Sequence, residues 1–330
     1  MIEQIYDKPE VYSISVDLPQ SPLRYLNVYV IHSNEKWLII DTGFNRPECR
    51  ESLWNGLKEL GVDLSSTILY LTHFHSDHIG LVWDFVERGV PVYMCDKEYE
   101  YYKWFREVGA QQAIDRIFAQ EGYPMEELML QEEHNQGRVY APAAGFPATV
   151  ISDGDRLPFD GVDIRVLCVP GHTPGNSVLY LPEKELLFSG DHILFDITPN
   201  ISAWPEVENS VCDYIASLKR IAALSISRTF PAHRAGGEDV YTRIEQIIRH
   251  HDNRVEEIYN AVAEHPGCTA YETASRIKWS KGNRAWEEFT PHNRWFAVGE
   301  TLAHINFLIL QGRVSKDSSG DNRLYYATEK

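Results

Sequence analysis

The chain has 330 residues, 43% of them hydrophobic and 12% aromatic, enough for one large catalytic unit beside a smaller module. Forty-eight acidic side chains stand against 31 basic ones, a formal charge of -17. Because the segment from residue 240 onward carries 12 of each, the whole excess of acid lies in the first 239 residues, and such a field disfavours a nucleic-acid partner. Five cysteines without a C-x-x-C pair argue against a disulfide framework. The N-terminus has no basic region followed by an apolar one, and no apolar run approaches the roughly 18 residues of a membrane span. These features lead to the expectation of a soluble protein of a reducing compartment, the cytoplasm, with no membrane partner.

In chain order, alternating segments at Val11–Val16, Asn27–His32 and Lys36–Asp41 predict three antiparallel strands. Helical spacing over Arg46–Leu60 ends at Gly61, a residue suited to a helix C-terminus. Thr67–Thr72 is an almost wholly apolar strand, followed by a histidine cluster, a helical pattern over Ile79–Arg88 and a strand at Val92–Cys95. From about 98 to 144 the pattern turns helical and rich in aromatics (Tyr101, Tyr102, Trp104, Phe105), an insertion set on the core. Strand signals return at Thr149–Ile151, Val162–Val169, Ser177–Leu181 and Glu185–Ser189, then a helix at Val211–Leu224 and a strand at Ser227–Phe230. Two β-rich halves, each followed by helices, predict a sandwich of two sheets with helices on its outer faces.

A boundary falls at 234–238, dividing a catalytic domain, 1–238, from a C-terminal module, 239–330. The module starts with a long helix over Val240–Glu264, continues with helical signals near 271–277, 283–289 and 295–311, and ends in a hairpin at Arg313-Val314 and Leu324–Ala327. Helices followed by a hairpin resemble a winged-helix module. Its basic run, Arg276, Lys278, Lys281 and Arg284, is answered at once by Glu287 and Glu288, which favours packing or homodimerisation over nucleic-acid binding.

The segment Thr72-His-Phe-His-Ser-Asp-His-Ile-Gly80 concentrates three histidines and an aspartate within six residues, directly after an apolar strand. His73 and His75 project to the same side of extended chain, so both imidazoles reach one cation. Asp77 and His78 follow where the chain turns into a helix and suit a second. Zinc takes imidazole nitrogen and carboxylate oxygen readily. The remaining histidines, among them His192, His251 and His304, match no motif.

This segment resembles the metallo-β-lactamase superfamily, with a dinuclear site similar to that of glyoxalase II. The resemblance extends to Asp41-Thr-Gly43, Pro170-Gly-His172-Thr-Pro-Gly175, Phe188-Ser-Gly-Asp191 and Pro231-Ala-His233, covering roughly residues 10–238. It implies a four-layer αββα sandwich. It places His73, His75 and His172 on one metal, Asp77, His78 and His233 on the other, and Asp191 between them, with Asp41 bracing the metal loop. The resemblance also implies two zinc ions per chain, or iron or manganese in the same set. A hydroxide shared by the ions is then the nucleophile, and Asp77 orients it and shuttles its proton. No G-x-S-x-G elbow offers a competing nucleophile.

Fold alone does not name the substrate. The expected function is hydrolysis of a small thioester, ester or lactone, with the insertion and the C-terminal helices setting specificity. The alternative is a metal-dependent phosphodiesterase or endoribonuclease, which requires a basic groove leading to the metals. A third reading is a regulatory metal-binding protein with slight turnover.

Overall fold

The computed structural model describes residues 1–237, 239–279 and 285–328, with the backbone alone at Ala110 and 131–134. Strands β1 (Ile2–Asp7), β2 (Glu10–Asp17), β3 (Tyr25–Ser33) and β4 (Lys36–Ile40) form an antiparallel meander, which β5 (Thr67–Leu71), β6 (Val92–Cys95) and β7 (Thr149–Ile151) extend in parallel. The second sheet has the order β11-β10-β9-β8. Its β8 (Arg165–Cys168), β9 (Ser177–Leu181) and β10 (Leu186–Gly190) are antiparallel, and β11 (Arg228–Pro231) is parallel to β10.

Period-two side-chain alternation explains the layering. Along β3, Tyr29 and Ile31 turn into the space between the sheets and meet Leu179, Leu186 and Phe188 of the second sheet. Val28 and Val30 face the other way. The same split separates Tyr70 from Leu69 and Leu71 on β5. Both faces of the first sheet are therefore buried, and its central strands read as continuous apolar runs.

Helices α1 (Pro47–Glu59), α2 (Ser76–Ile79) and α3 (Val82–Val86) follow β4 and β5. Leu53 and Leu57 of α1, with Val82 and Phe85 of α3, cover the outer face of the first sheet. The insertion consists of α4 (Asp96–Glu107), α5 (Ala110–Gln120), α6 (Met125–His134) and α7 (Gln136–Val139). On α8 (Ser210–Ala222), Val211, Tyr214, Leu218 and Ile221 recur at three- and four-residue steps. With Ile244 and Ile247 of α9 (Val240–Glu264), they cover the second sheet. This is the expected four-layer αββα sandwich.

Beyond α9 come α10 (Ala270–Arg276), α11 (Pro291–Leu310) and the hairpin of β12 (Val314–Asp317) and β13 (Leu324–Ala327). This region and the insertion share one core. Ile114, Phe118 and Leu128 pack with Val255, Ile258, Val298 and Leu302, and the rings of Phe118 and Trp295 stack at 5.0 Å. Buried Glu121 at the end of α5 accepts the Tyr325 hydroxyl at 2.9 Å.

Four elements depart from expectation. Strand β1 pairs with β2 although its sequence shows only weak alternation. The helix expected over 79–88 is two short ones, because the chain leaves helical geometry at Leu81 (φ -95°, ψ 13°), where the Thr42 hydroxyl accepts Leu81 N–H at 3.2 Å and donates to the His78 carbonyl at 2.7 Å. Of the helix expected near 283–289, residues 283 and 284 lie outside the described residues and the rest holds a single 3-10 turn, Trp286–Glu288; the first strand of the terminal hairpin starts at Val314 and runs to Asp317. Lys281 and Arg284 of the basic run and Glu238 of the domain boundary lie outside the described residues. Among the described residues, no helix is long and apolar enough to cross a membrane.

Candidate metal centre

All seven residues expected to hold metal converge at one end of the sandwich, in loops that leave β5, β8, β10 and β11. The first loop is anchored by Asp41, which ends β4 in a left-handed backbone conformation (φ 64°) that aspartate tolerates better than most residues. Its Oδ1 accepts Thr72 N–H at 2.8 Å, and its Oδ2 accepts the Thr72 hydroxyl and faces His78 Nδ1, both at 2.8 Å. His75 is extended (φ -62°, ψ 145°), and the next residue opens α2, so the turn places Asp77 and His78 away from the His73–His75 pair.

Ligand atoms fall into overlapping groups, each within 4.8 Å: His73, His75 and His172; His73, His78 and Asp191; and Asp77, His78 and His233. His73 Nε2 and His172 Nε2 each lie 3.0 Å from His75 Nδ1. Nitrogens about 2.0–2.1 Å from one tetrahedral ion are roughly 3.3 Å apart, so these separations suit a shared cation. Asp191 stands between the groups, with Oδ2 3.6 Å from His172 Nε2 and Oδ1 3.6 and 3.4 Å from His78 Nε2 and His233 Nε2. Asp77 Oδ2 is 3.3 Å from His233 Nε2.

The unused atoms fit a bound cation. His78 Nε2, His233 Nε2 and Asp191 Oδ1 are buried without a hydrogen-bond partner, and both nitrogens face the same carboxylate oxygen, at 3.6 and 3.4 Å. The opposite ring nitrogens are engaged by acceptors: His78 Nδ1 by Asp41, His172 Nδ1 by the Asn200 carbonyl at 2.9 Å, and His233 Nδ1 by the Tyr25 carbonyl at 3.0 Å. Each acceptor fixes the N–H at Nδ1 and leaves the Nε2 lone pair facing inward.

The electrostatics agree. Burial, with the neighbouring His172, drives His75 down to about 3. Burial works to lower His78 and His233 too, but Asp41, Asp191 and Asp77 outweigh it and draw a positive charge to those rings. Burial works to raise Asp77, yet His78 and His233 hold it at about 2. Ionised buried carboxylates that draw positive charge to His78 and His233, beside a neutral His75, mark a point where a divalent cation would take the place of those protons.

Several contributors have no motif in the sequence. Glu98, fully buried at the start of α4, accepts Phe74 N–H at 2.8 Å, the Thr173 hydroxyl at 2.7 Å and Gly175 N–H at 2.7 Å. Burial pushes Glu98 up to about 7 against the pull of those three bonds. Asn200, which orients His172, donates to Glu300 of α11 at 3.1 Å. The Trp204 indole N–H donates to the His172 carbonyl at 3.0 Å. A cavity of about 400 Å³ opens over His75, Asp77, His172 and Asp191, walled by Phe44, Phe74, Tyr102, Phe105, Trp204 and Phe296. Of the insertion aromatics singled out from sequence, Tyr102 and Phe105 thus face the site, and Tyr101 pins the 205 loop through its hydroxyl.

Residues 22–233 match the Metallo-beta-lactamase superfamily, and residues 255–329 match the Metallo-beta-lactamase-like, C-terminal domain. The chain belongs to the metallo-beta-lactamase superfamily and is a metal-dependent hydrolase of that class. A metallo-beta-lactamase family protein of Thermus thermophilus superposes with a TM-score of 0.82 at 29% identity, covering 96% of this chain and 98% of that one. A beta-lactamase domain protein of Burkholderia ambifaria gives 0.82 at 25%, covering 99% and 94%. The Drosophila melanogaster beta-lactamase-like protein 2 homolog is 25% identical over 92% of this chain and 88% of its own length. The lactamase-like protein vrtG of Penicillium aethiopicum is 25% identical over 73% of this chain, and the match spans 62% of that protein.

Proposed function

We propose that the chain is a two-zinc hydrolase of a small thioester, ester or lactone with an apolar acyl part, divided into a catalytic unit, 1–238, and a C-terminal module, 239–330. The observation that carries this reading is the wall of the cavity. Aromatic side chains from the core, the insertion and α11 enclose the space directly over the metal-binding set, and apolar walls with a few convergent polar groups suit a small organic substrate. Arg106 and Arg138 also line the cavity, but Arg138 is committed to Asp115 at 2.6 Å. A phosphodiesterase needs a basic track to the metals, and the excess of acid in the first 239 residues speaks against one.

Bound divalent cations supply Lewis-acid polarisation of a carbonyl and acidify water. His73, His75 and His172 would hold one ion, Asp77, His78 and His233 the other, and Asp191 would contribute to both. Iron or manganese accepts the same donors. Asp77 lines the cavity as an ionised carboxylate, placed to orient an attacking water and take up its proton. Aromatic walls exclude bulk water and hold the acyl group.

The test combines metal content with hydrolysis of an acyl thioester, a lactone, a β-lactam and a phosphodiester by wild type and by Asp77→Ala. Two ions per chain, with one acyl class cleaved and that activity lost in the variant, is the expected result. Cleavage of the phosphodiester alone would replace this reading with the nuclease.

A further inference from the structure

We propose that Glu98 is a positioning residue that sets the spacing between the two ligand loops of the first metal site, and so that site's affinity. The inference rests on the reading that His73, His75 and His172 hold an ion. Those ligands come from different sheets: His73 and His75 follow β5 of the first, and His172 lies between β8 and β9 of the second. The loops are joined at their base, where Thr72 O accepts Ser177 N–H at 3.1 Å. Their tips are joined through Glu98. Its Oε1 takes the N–H of Phe74, the residue between the two loop histidines, together with the Thr173 hydroxyl, and its Oε2 takes Gly175 N–H.

Gly175 shows how closely the second loop lies on the first turn of α4. A Cβ at that position would come 2.2 Å from Glu98 N, a backbone atom that cannot move aside. A fully buried carboxylate carries a desolvation cost, which makes it a poor filler of space. Here three donors from two loops converge on it, and a carboxylate can accept from all three at once. A metal site tolerates only about 0.2 Å of error in ligand distance, so loop spacing translates directly into affinity. The other ion's ligands are held elsewhere: His78 by Asp41 and His233 by the Tyr25 carbonyl.

Glu98→Gln keeps the size of the side chain. Its amide oxygen can serve Phe74 and Thr173, but the NH2 then meets the Gly175 N–H, donor against donor. The expected result is a loss of about 10–100-fold in affinity for one ion of the two, the usual effect of removing a residue that orients ligands. The second ion stays within about threefold of wild type. Affinities are read by competition with a chromophoric chelator and by cobalt(II) absorption, and the urea midpoint of the metal-free protein reports folding. Thr173→Val removes one of the three bonds, should weaken the same ion to a smaller degree, and decides the matter if Glu98→Gln does not fold. Unchanged affinities, or equal loss of both ions in a folded variant, would overturn the proposal. A wild type that binds no ion would instead remove the metal-centre reading on which it rests.

Discussion

Asp41→Asn isolates the bracing of the metal loop from its shape. Asparagine tolerates the left-handed backbone at this position (φ 64°), so the chain path should survive. In the wild type, Oδ1 takes Thr72 N–H and Oδ2 faces His78 Nδ1, each at 2.8 Å. The amide oxygen can keep the first bond, and the NH2 then points at His78 Nδ1. That ring nitrogen must become an acceptor, so the proton moves to Nε2, the atom that would bind metal. A loss of about 10–100-fold in affinity for the His78 ion follows, about 1.4–2.7 kcal/mol. The metal-free protein loses a charge-assisted bond between groups that are both buried, worth about 1.5–3 kcal/mol. Chelator competition measures the first effect and urea unfolding in chelator the second. An Asp41→Asn protein that keeps both ions at wild-type affinity would refute the argument that Asp41 fixes the His78 tautomer.

Removing the ions should lower the melting temperature and restoring them should recover it; ions at 100 times their Kd contribute about 2.7 kcal/mol each, and a transition indifferent to chelator would count against the centre. Burial drives His304 down to about 3 and His251 well below its ordinary 6.5. The unfolded chain protonates both near 6.5, so it binds more protons than the native state at lower pH. The stabilisation from His304 is complete above pH 6.5 and is lost as pH falls toward 3, at about 1.4 kcal/mol per pH unit, and His251 acts in the same direction. Urea titrations in chelator between pH 6.5 and 4.5 should show a shallower slope for His304→Gln, and equal slopes would contradict it. Gly80→Ala places a Cβ 2.4 and 2.5 Å from backbone atoms of the loop before α1; a loss of at least about 1–3 kcal/mol is expected in the same assay. Phe105→Ala opens one cavity wall and should raise KM for an apolar acyl ester about tenfold with kcat less affected, while a fall in kcat at constant KM would assign Phe105 a different role.

What the sequence disclosed depended on how local the signal was. The sandwich strands are legible because each has its own alternation, and several observed spans coincide with those expected, as at Val92–Cys95 and Ser177–Leu181. The metal-binding set is legible because chemistry demands particular side chains in short motifs. Glu98 has neither advantage. Its partners lie 24, 75 and 77 residues away, and two of its three bonds go to backbone N–H groups, which leave no mark on composition. Asn200 orients His172 through its own carbonyl, a role any residue type could fill. The break at Leu81 is likewise set by a distant residue, Thr42.

The insertion and the C-terminal region also look different in space from how they look along the chain. A division near 238 separates them in sequence, yet Phe118 and Trp295 stack within one core, and both segments reach the metal-binding set. The insertion does so through Glu98. The C-terminal helix α11 does so through Glu300, which accepts from Asn200 and is itself held by Arg254 of α9 at 3.2 Å. The same two segments supply Phe105 and Phe296 to the cavity wall. Substitutions in their shared core should therefore disturb both what the cavity admits and how His73, His75 and His172 are held. Leu302→Ala tests this: it lies in that core, outside the cavity lining, and a loss of about 2–5 kcal/mol in stability is expected from the void alone. If the two segments act on the centre as one body, KM and the affinity of the first ion shift together under conditions where the variant remains folded. A variant that loses stability and keeps both values would confine the shared core to a structural part.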